Sequence, residues 1–187
     1  KDRIKYLGVL SYFKKKKVKE DIDIFVSISG PEPQRTVLEG ILLPMLRKMK
    51  GNIVVTLGKP ELKEFKTDKN IQIYSFLGPE KQGEFFNRAK VVVARSGYTT
   101  IMDLAELGKK KVLLIPTPGQ TEQEYLADYY EKEGYLHHVH QSNIHLEKDI
   151  AKAYSFIGLP CPWKTEKSVK RFMKIIGDFE RSRKRGS

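Results

Sequence analysis

One cysteine, Cys161, stands in 187 residues, so neither an internal disulfide framework nor a thiolate metal cluster can form. A reducing, cytoplasmic setting is the expectation. No apolar run approaches the ~20 residues that cross a bilayer. Lys1-Asp2-Arg3 opens the chain without the apolar core of a signal peptide. No Gly-x-Gly-x-x-Gly follows a strand-like run, which argues against a dinucleotide cofactor. No Gly-x-x-x-x-Gly-Lys-Ser/Thr is present either, which argues against a P-loop NTPase. The histidines His137, His138, His140 and His145 lack His-x-x-x-His spacing and the carboxylate and cysteine companions of a good metal site. They read as surface or edge-strand residues, with no metal site expected. Internal repeats and low-complexity linkers are also missing.

What is present is an ordinary globular composition, 40% hydrophobic and 31% charged, with a net charge of +12. The charge is not spread evenly. Residues 1–19 carry eight basic residues against one acid, and residues 164–187 carry nine against three. The middle of the chain is therefore near neutral. A basic groove across the fold, as nucleic acid requires, is not expected. Basic ends are suited to peripheral contact with an anionic membrane, at about 1 kcal/mol per residue near the surface.

Short β-rich runs alternate with helical ones. Ile4 to Leu10 reads as a leading strand, followed by Lys14 to Lys17. Strands are expected at Ile22–Ile28, Ile53–Leu57, Ile71–Phe76, Val91–Ala94 and Val112–Ile115. The last two are continuous apolar runs, as in buried parallel strands. Helical spacing marks Gln34–Lys50, with a kink or break expected at Pro44. Further helices are expected at Pro79–Lys90, Tyr98–Leu107, Thr121–Glu133, Leu146–Ile157 and Thr165–Arg181. The last follows the punctuation Pro160-Cys161-Pro162-Trp163. This alternation predicts an α/β fold, a doubly wound parallel sheet with helices on both faces.

In such a sheet, ligands bind beyond the carboxyl ends of the strands. The informative residues are therefore Ser29-Gly30, Phe76-Leu77-Gly78, Arg95-Ser96-Gly97 and Thr117-Pro118-Gly119-Gln120. Glycine permits close backbone approach, and a helix N-terminus presents free N–H groups to phosphate. On the helix after Gly97, Thr99, Thr100 and Asp103 share a side at i, i+3 and i+4 spacing. The threonines suit a diphosphate and the carboxylate suits a ribose. Thr121 and Glu124 have capping-box spacing, which leaves Gln123 to face the crevice.

Taken in this order, these segments resemble the C-terminal domain of GT-B glycosyltransferases of family 28, over roughly Ile24 to Tyr135. The resemblance implies that the loop from Ser29-Gly30 to Arg35 approaches the donor, although the family's second and third glycines are missing here. It implies uracil contact through the backbone at Phe76-Leu77 and diphosphate contact along Arg95, Ser96, Gly97, Tyr98, Thr99 and Thr100. The family's ribose-binding Glu falls on Asp103, one methylene shorter. Sugar contact falls at Gln123, with Gln120 beside it, while the family's sugar-reading Asn falls on Ala127.

The implied protein is an inverting, metal-independent glycosyltransferase using a UDP-sugar, without cofactor. The whole chain 1–187 would be its donor-binding domain, with a basic leading strand and loop at 1–19 and a basic helix and tail at 164–187. Both ends would lie against an N-terminal acceptor-binding domain or separate subunit, which would supply the catalytic base. The alternatives are a UDP-sugar epimerase of the same fold or a non-enzymatic module that binds nucleic acid or another anion.

Overall fold

The computed structural model describes residues 4–161 and 164–185. Lys1-Asp2-Arg3, the Pro162-Trp163 part of the punctuation and the final two residues lie outside them. Seven strands form one sheet in the order β3-β4-β2-β1-β5-β6-β7. They are β1 (Ile22–Ser27), β2 (Ile53–Thr56), β3 (Phe65–Asp68), β4 (Ile71–Tyr74), β5 (Ala89–Ala94), β6 (Val112–Leu114) and β7 (His137–His138). All pairs are parallel except β3 with β4. The helices are α1 (Gln34–Leu46), α2 (Pro79–Arg88), α3 (Tyr98–Leu107), α4 (Thr121–Lys132), α5 (Leu146–Ala153) and α6 (Thr165–Arg185).

Strand alternation sends side chains to two cores. Val91 and Val93 of β5 pack with Leu38, Leu42 and Leu46 of α1 and Ile150 of α5. Val92 and Ala94 pack on the other face with Phe85 and Phe86 of α2 and Leu104 and Leu107 of α3. Each such fully buried side chain stabilises by about 1.5–3 kcal/mol. The chain winds outward from β1 through β2 to β4, then crosses to β5 on the other side of β1. The topological switch point therefore lies between β1 and β5, which pair directly from Ile22↔Ala89 to Ser27↔Ala94.

Four expectations need correction. No strand forms over Ile4–Leu10; this segment runs along α3 instead. Pro44 lies inside α1 without ending it. The residue four before it is the exposed Gly40, whose carbonyl can be solvated when the proline removes its partner. The capping box does not form, because the N-cap of α4 is Gln120, which makes no side-chain cap hydrogen bond, and Glu124 Oε1 accepts from Gly119 N at 3.0 Å. The helix expected to reach Ile157 ends at Ala153. The strands β3 and β7 were not foreseen. Among the described residues, no helix is long and apolar enough to cross a membrane.

Candidate functional site

The ends of β1, β5 and β6 bring together Gly30, Gly97, Thr117, Gln120 and Gln123. Gly30 has φ +108°, and a Cβ there would lie 3.7 Å from Thr117 Oγ1. A Cβ on Gly97 would lie 4.0 Å from Gln123 Nε2. Ser96 Oγ donates to Gln123 O at 2.8 Å, tying the β5–α3 turn to the first turn of α4. The side chain of Gln123 is engaged within the loop. Its Oε1 accepts from Thr117 N at 3.0 Å and its Nε2 donates to Gln120 Oε1 at 2.5 Å.

Arg95 was expected to reach the diphosphate, but its side chain is turned inward and is 1% exposed. The guanidinium donates to Ile115 O, Pro116 O and Gln34 O at 3.0–3.2 Å, fastening the ends of β5 and β6 to the start of α1. No carboxylate among the described residues pairs with it, and its Nε is buried without a partner. Burial pushes the guanidinium down to about 10. A buried positive charge thus sits behind the crevice, compensated only by carbonyl dipoles.

Helix α3 adds to the same potential. Its N-cap, Gly97, makes no side-chain cap hydrogen bond, and its first turn holds no acid. The amides of the first turn have no intrahelical acceptors, since the first such bond runs from Ile101 N to Gly97 O. Tyr98 and Thr99 are exposed and Thr100 is half-buried. Helix α4 differs, because Glu122 and Glu124 in its first turn offset its dipole.

Two other expected site residues have partners within the fold. Arg35 is engaged by Glu32, by Glu61 at 3.3 Å and by the Gly58 carbonyl, so it braces the loop after β2. Asp103 is half-buried, and its Oδ1 accepts from Ser11 Oγ at 2.5 Å. Burial pushes its carboxyl up, against the pull of the Ser11 hydroxyl. Ala127 is fully buried, so that position packs rather than lining the crevice. Phe76 is exposed and Leu77 buried where the chain leaves β4, and Ser29 is exposed beside Gly30.

Thr117 was marked in sequence only as part of its segment, and Ser11 was not marked at all. Thr117 is 1% exposed with an unpartnered Oγ1 directed at Gly30. Its place just beyond β6 was the available signal. Ser11, which orders Asp103, carried no local signal because the two are 92 residues apart. The histidines also acquire carboxylate neighbours that their sequence context did not show: Asp128 and Glu131 from α4, and Asp149 from α5.

Comparison with known proteins fits this arrangement. The model of the glycosyltransferase family 28 C-terminal domain matches residues 35–176, well over half of the chain. The chain belongs to this family. No curated protein sequence matches it. Among solved structures, Acinetobacter baumannii MurG superposes with a TM-score of 0.52 at 15% identity, covering 82% of this chain and 46% of that one. The glycotransferase of kitacinnamycin gives 0.60 at 13%, covering 90% and 44%. The solution structure of ALG13 gives 0.56 at 12%, covering 79% and 93%. These likenesses show the fold, that of GT-B C-terminal domains. The family 28 domain described here spans about half the length of MurG and of the kitacinnamycin enzyme, and nearly all of ALG13.

Proposed function

We propose that this chain is the donor-binding half of an inverting glycosyltransferase and that its donor is a UDP-sugar. The observation that carries the reading is the uncompensated positive potential at the switch point. The bare N-terminus of α3 opens there, and the carboxylate-free Arg95 lies behind it. A diphosphate supplies the missing negative charge. Its oxygens would meet the Gly97–Thr100 amides and the hydroxyls of Thr99 and Thr100, with Thr117 opposite. The ribose would bond to the free oxygen of Asp103, and the uracil would meet the backbone at Phe76-Leu77. The sugar would lie toward Gln120 and Gln123, with Ser29-Gly30 as the facing wall.

Chemistry follows from placing growing charge against fixed dipoles. The acceptor hydroxyl attacks the anomeric carbon as its C–O bond to the diphosphate breaks. UDP leaves with the bonding electron pair, and the α3 amides stabilise its charge. This scheme needs neither metal nor cofactor. The acceptor proton goes to a base on the partner, an N-terminal acceptor domain or a separate subunit. The chain alone would bind donor without turnover. The basic ends and the exposed apolar side of α6, including Phe172, Met173 and Phe179, suit contact with that partner or an anionic membrane surface.

The test is a thermal-shift panel of UDP, UDP-sugars, GDP and dTDP. UDP is expected to bind at about 0.1–1 mM, equivalent to roughly 4–5 kcal/mol, and more tightly than GDP. Equal shifts from all nucleotides would remove the uridine assignment. No shift from any of them would remove the site.

A further inference from the structure

On the edge of the sheet, His138 and His140 lie two residues apart in extended chain, so they share a side while Val139 turns into the core. Helix α4 runs alongside and presents Asp128 to the same side. One ligand atom from each of Asp128, His138 and His140 lies within 4.8 Å of the others. Asp128 Oδ1 stands 3.0 Å from His138 Nε2. Two donors bound to one ion at ~2.0–2.2 Å each are separated by roughly 3–3.5 Å, so this pair already has the spacing of neighbouring ligands. His140 is exposed and can rotate toward them.

The other ring nitrogen of His138 is buried beside a carboxylate without being hydrogen-bonded to it. Glu131 Oε2 stands 2.7 Å from Nδ1, off the direction of a good hydrogen bond, and accepts from His138 N at 2.9 Å. Lys152 holds the second oxygen of Glu131 at 3.0 Å. A small rotation of the ring would let Nδ1 donate to Glu131 while Nε2 faces the other donors, the arrangement that orients a metal-binding imidazole.

We propose that Asp128, His138 and His140 bind a divalent first-row transition ion, zinc being the choice for two imidazoles and one carboxylate with an open position for water. The exposure of Asp128 and His140 leaves that fourth position to solvent. An ion held there by Asp128 and His138 clamps β7 to α4. His140 lines a cleft of about 320 Å³ together with Pro118 and Glu124, so the clamp also borders the loop that leads into α4. The site does not depend on the donor reading, because none of its three ligands belongs to the crevice.

The test uses the full chain, free of any affinity tag and stripped of metal, titrated with Co²⁺ and then Zn²⁺. A one-to-one complex with a visible ligand-field band, displaced by Zn²⁺, is expected. Zn²⁺ at ~100 times its Kd is expected to raise Tm by about 5–10 °C. His140→Ala and Asp128→Asn change exposed side chains. Each should keep the metal-free Tm while weakening Co²⁺ binding at least tenfold. Glu131→Gln should weaken binding by ~10–100-fold, and His145→Ala should leave it unchanged. Absence of both band and Tm shift in the unmodified chain would overturn the site. So would a His140→Ala variant that binds Co²⁺ as tightly as the unmodified chain.

Discussion

At the rim where β1 and β5 begin, cations meet carboxylates. Lys109 is buried against Glu20 at 3.0 Å, Lys90 meets Asp23 at 2.7 Å, and Arg88 meets Asp21 at 2.8 Å and Glu84. Hydrogen bonds from Arg88 and Lys90 hold the carboxyls of Asp21 and Asp23 below their usual range. At the rim where the same strands end, the shifts run the other way. Burial lowers Arg95 and raises Asp103, so each charged form is held at a cost. One rim has settled its charges internally, while the other leaves positive potential for a ligand to neutralise. Perturbation of that second kind marks functional sites more often than structural ones.

Substitutions at the two rims should therefore differ in kind. Arg95→Ala strands three carbonyls and opens a cavity, so a loss of about 3–5 kcal/mol is expected in urea unfolding. UDP binding should vanish with it. Lys109→Met removes bonds to Glu20, Asn87 O and Ala89 O at the opposite rim. It should cost about 1–3 kcal/mol of stability and leave UDP affinity unchanged.

Gly97→Ala sharpens the same contrast. Gly97 has φ −66° and its Cβ would make only an ordinary van der Waals contact, 4.0 Å from Gln123 Nε2, so the fold should tolerate the methyl group with less than about 1 kcal/mol lost. The methyl crowds the first turn of α3, and UDP affinity measured by calorimetry should fall about tenfold, or 1.4 kcal/mol.

Asp103→Asn should have the smallest effect on stability and a pH signature. A carboxyl raised by burial binds its proton more tightly in the folded state, so it costs stability as pH rises above the unfolded value of 3.8. The variant should match the parent chain in acid and gain on it as the pH of a Tm series rises through that window. The paired carboxylates Asp21 and Asp23 act in the opposite sense, losing their contribution as pH falls. If the gain is missing at pH 7, the carboxyl is not strained as described.

Much of the crevice was legible in sequence because its parts are local. A continuous apolar run, a glycine and a helical period suffice to place Val91–Ala94, Gly97 and α3. Side-chain direction was less legible. Arg95 follows Val91 and Val93 in alternation, and that parity turns it toward α1 and away from the diphosphate. Its partners are carbonyls on two other elements, 20 to 61 residues away. Arg35 and Asp103 were likewise captured by distant partners, Gly58–Glu61 and Ser11. The edge strand β3 is exposed and charged, so no alternation announced it, and β7 is too short for any period. Asp128 and Glu131 precede His138 by only ten and seven residues, but it is the turn after α4 that folds them back beside β7, and no period in the sequence announced that.

The most direct measurement is a UDP titration of the ¹⁵N-labelled chain followed residue by residue. The account expects saturable amide shifts at Gly97, Tyr98, Thr99 and Thr100, with Thr117 and Asp103 moving together at the same Kd. The rim of Lys90 and Lys109 should remain still. Shifts confined to the lysine rim, or none near Gly97 at several millimolar UDP, would contradict it.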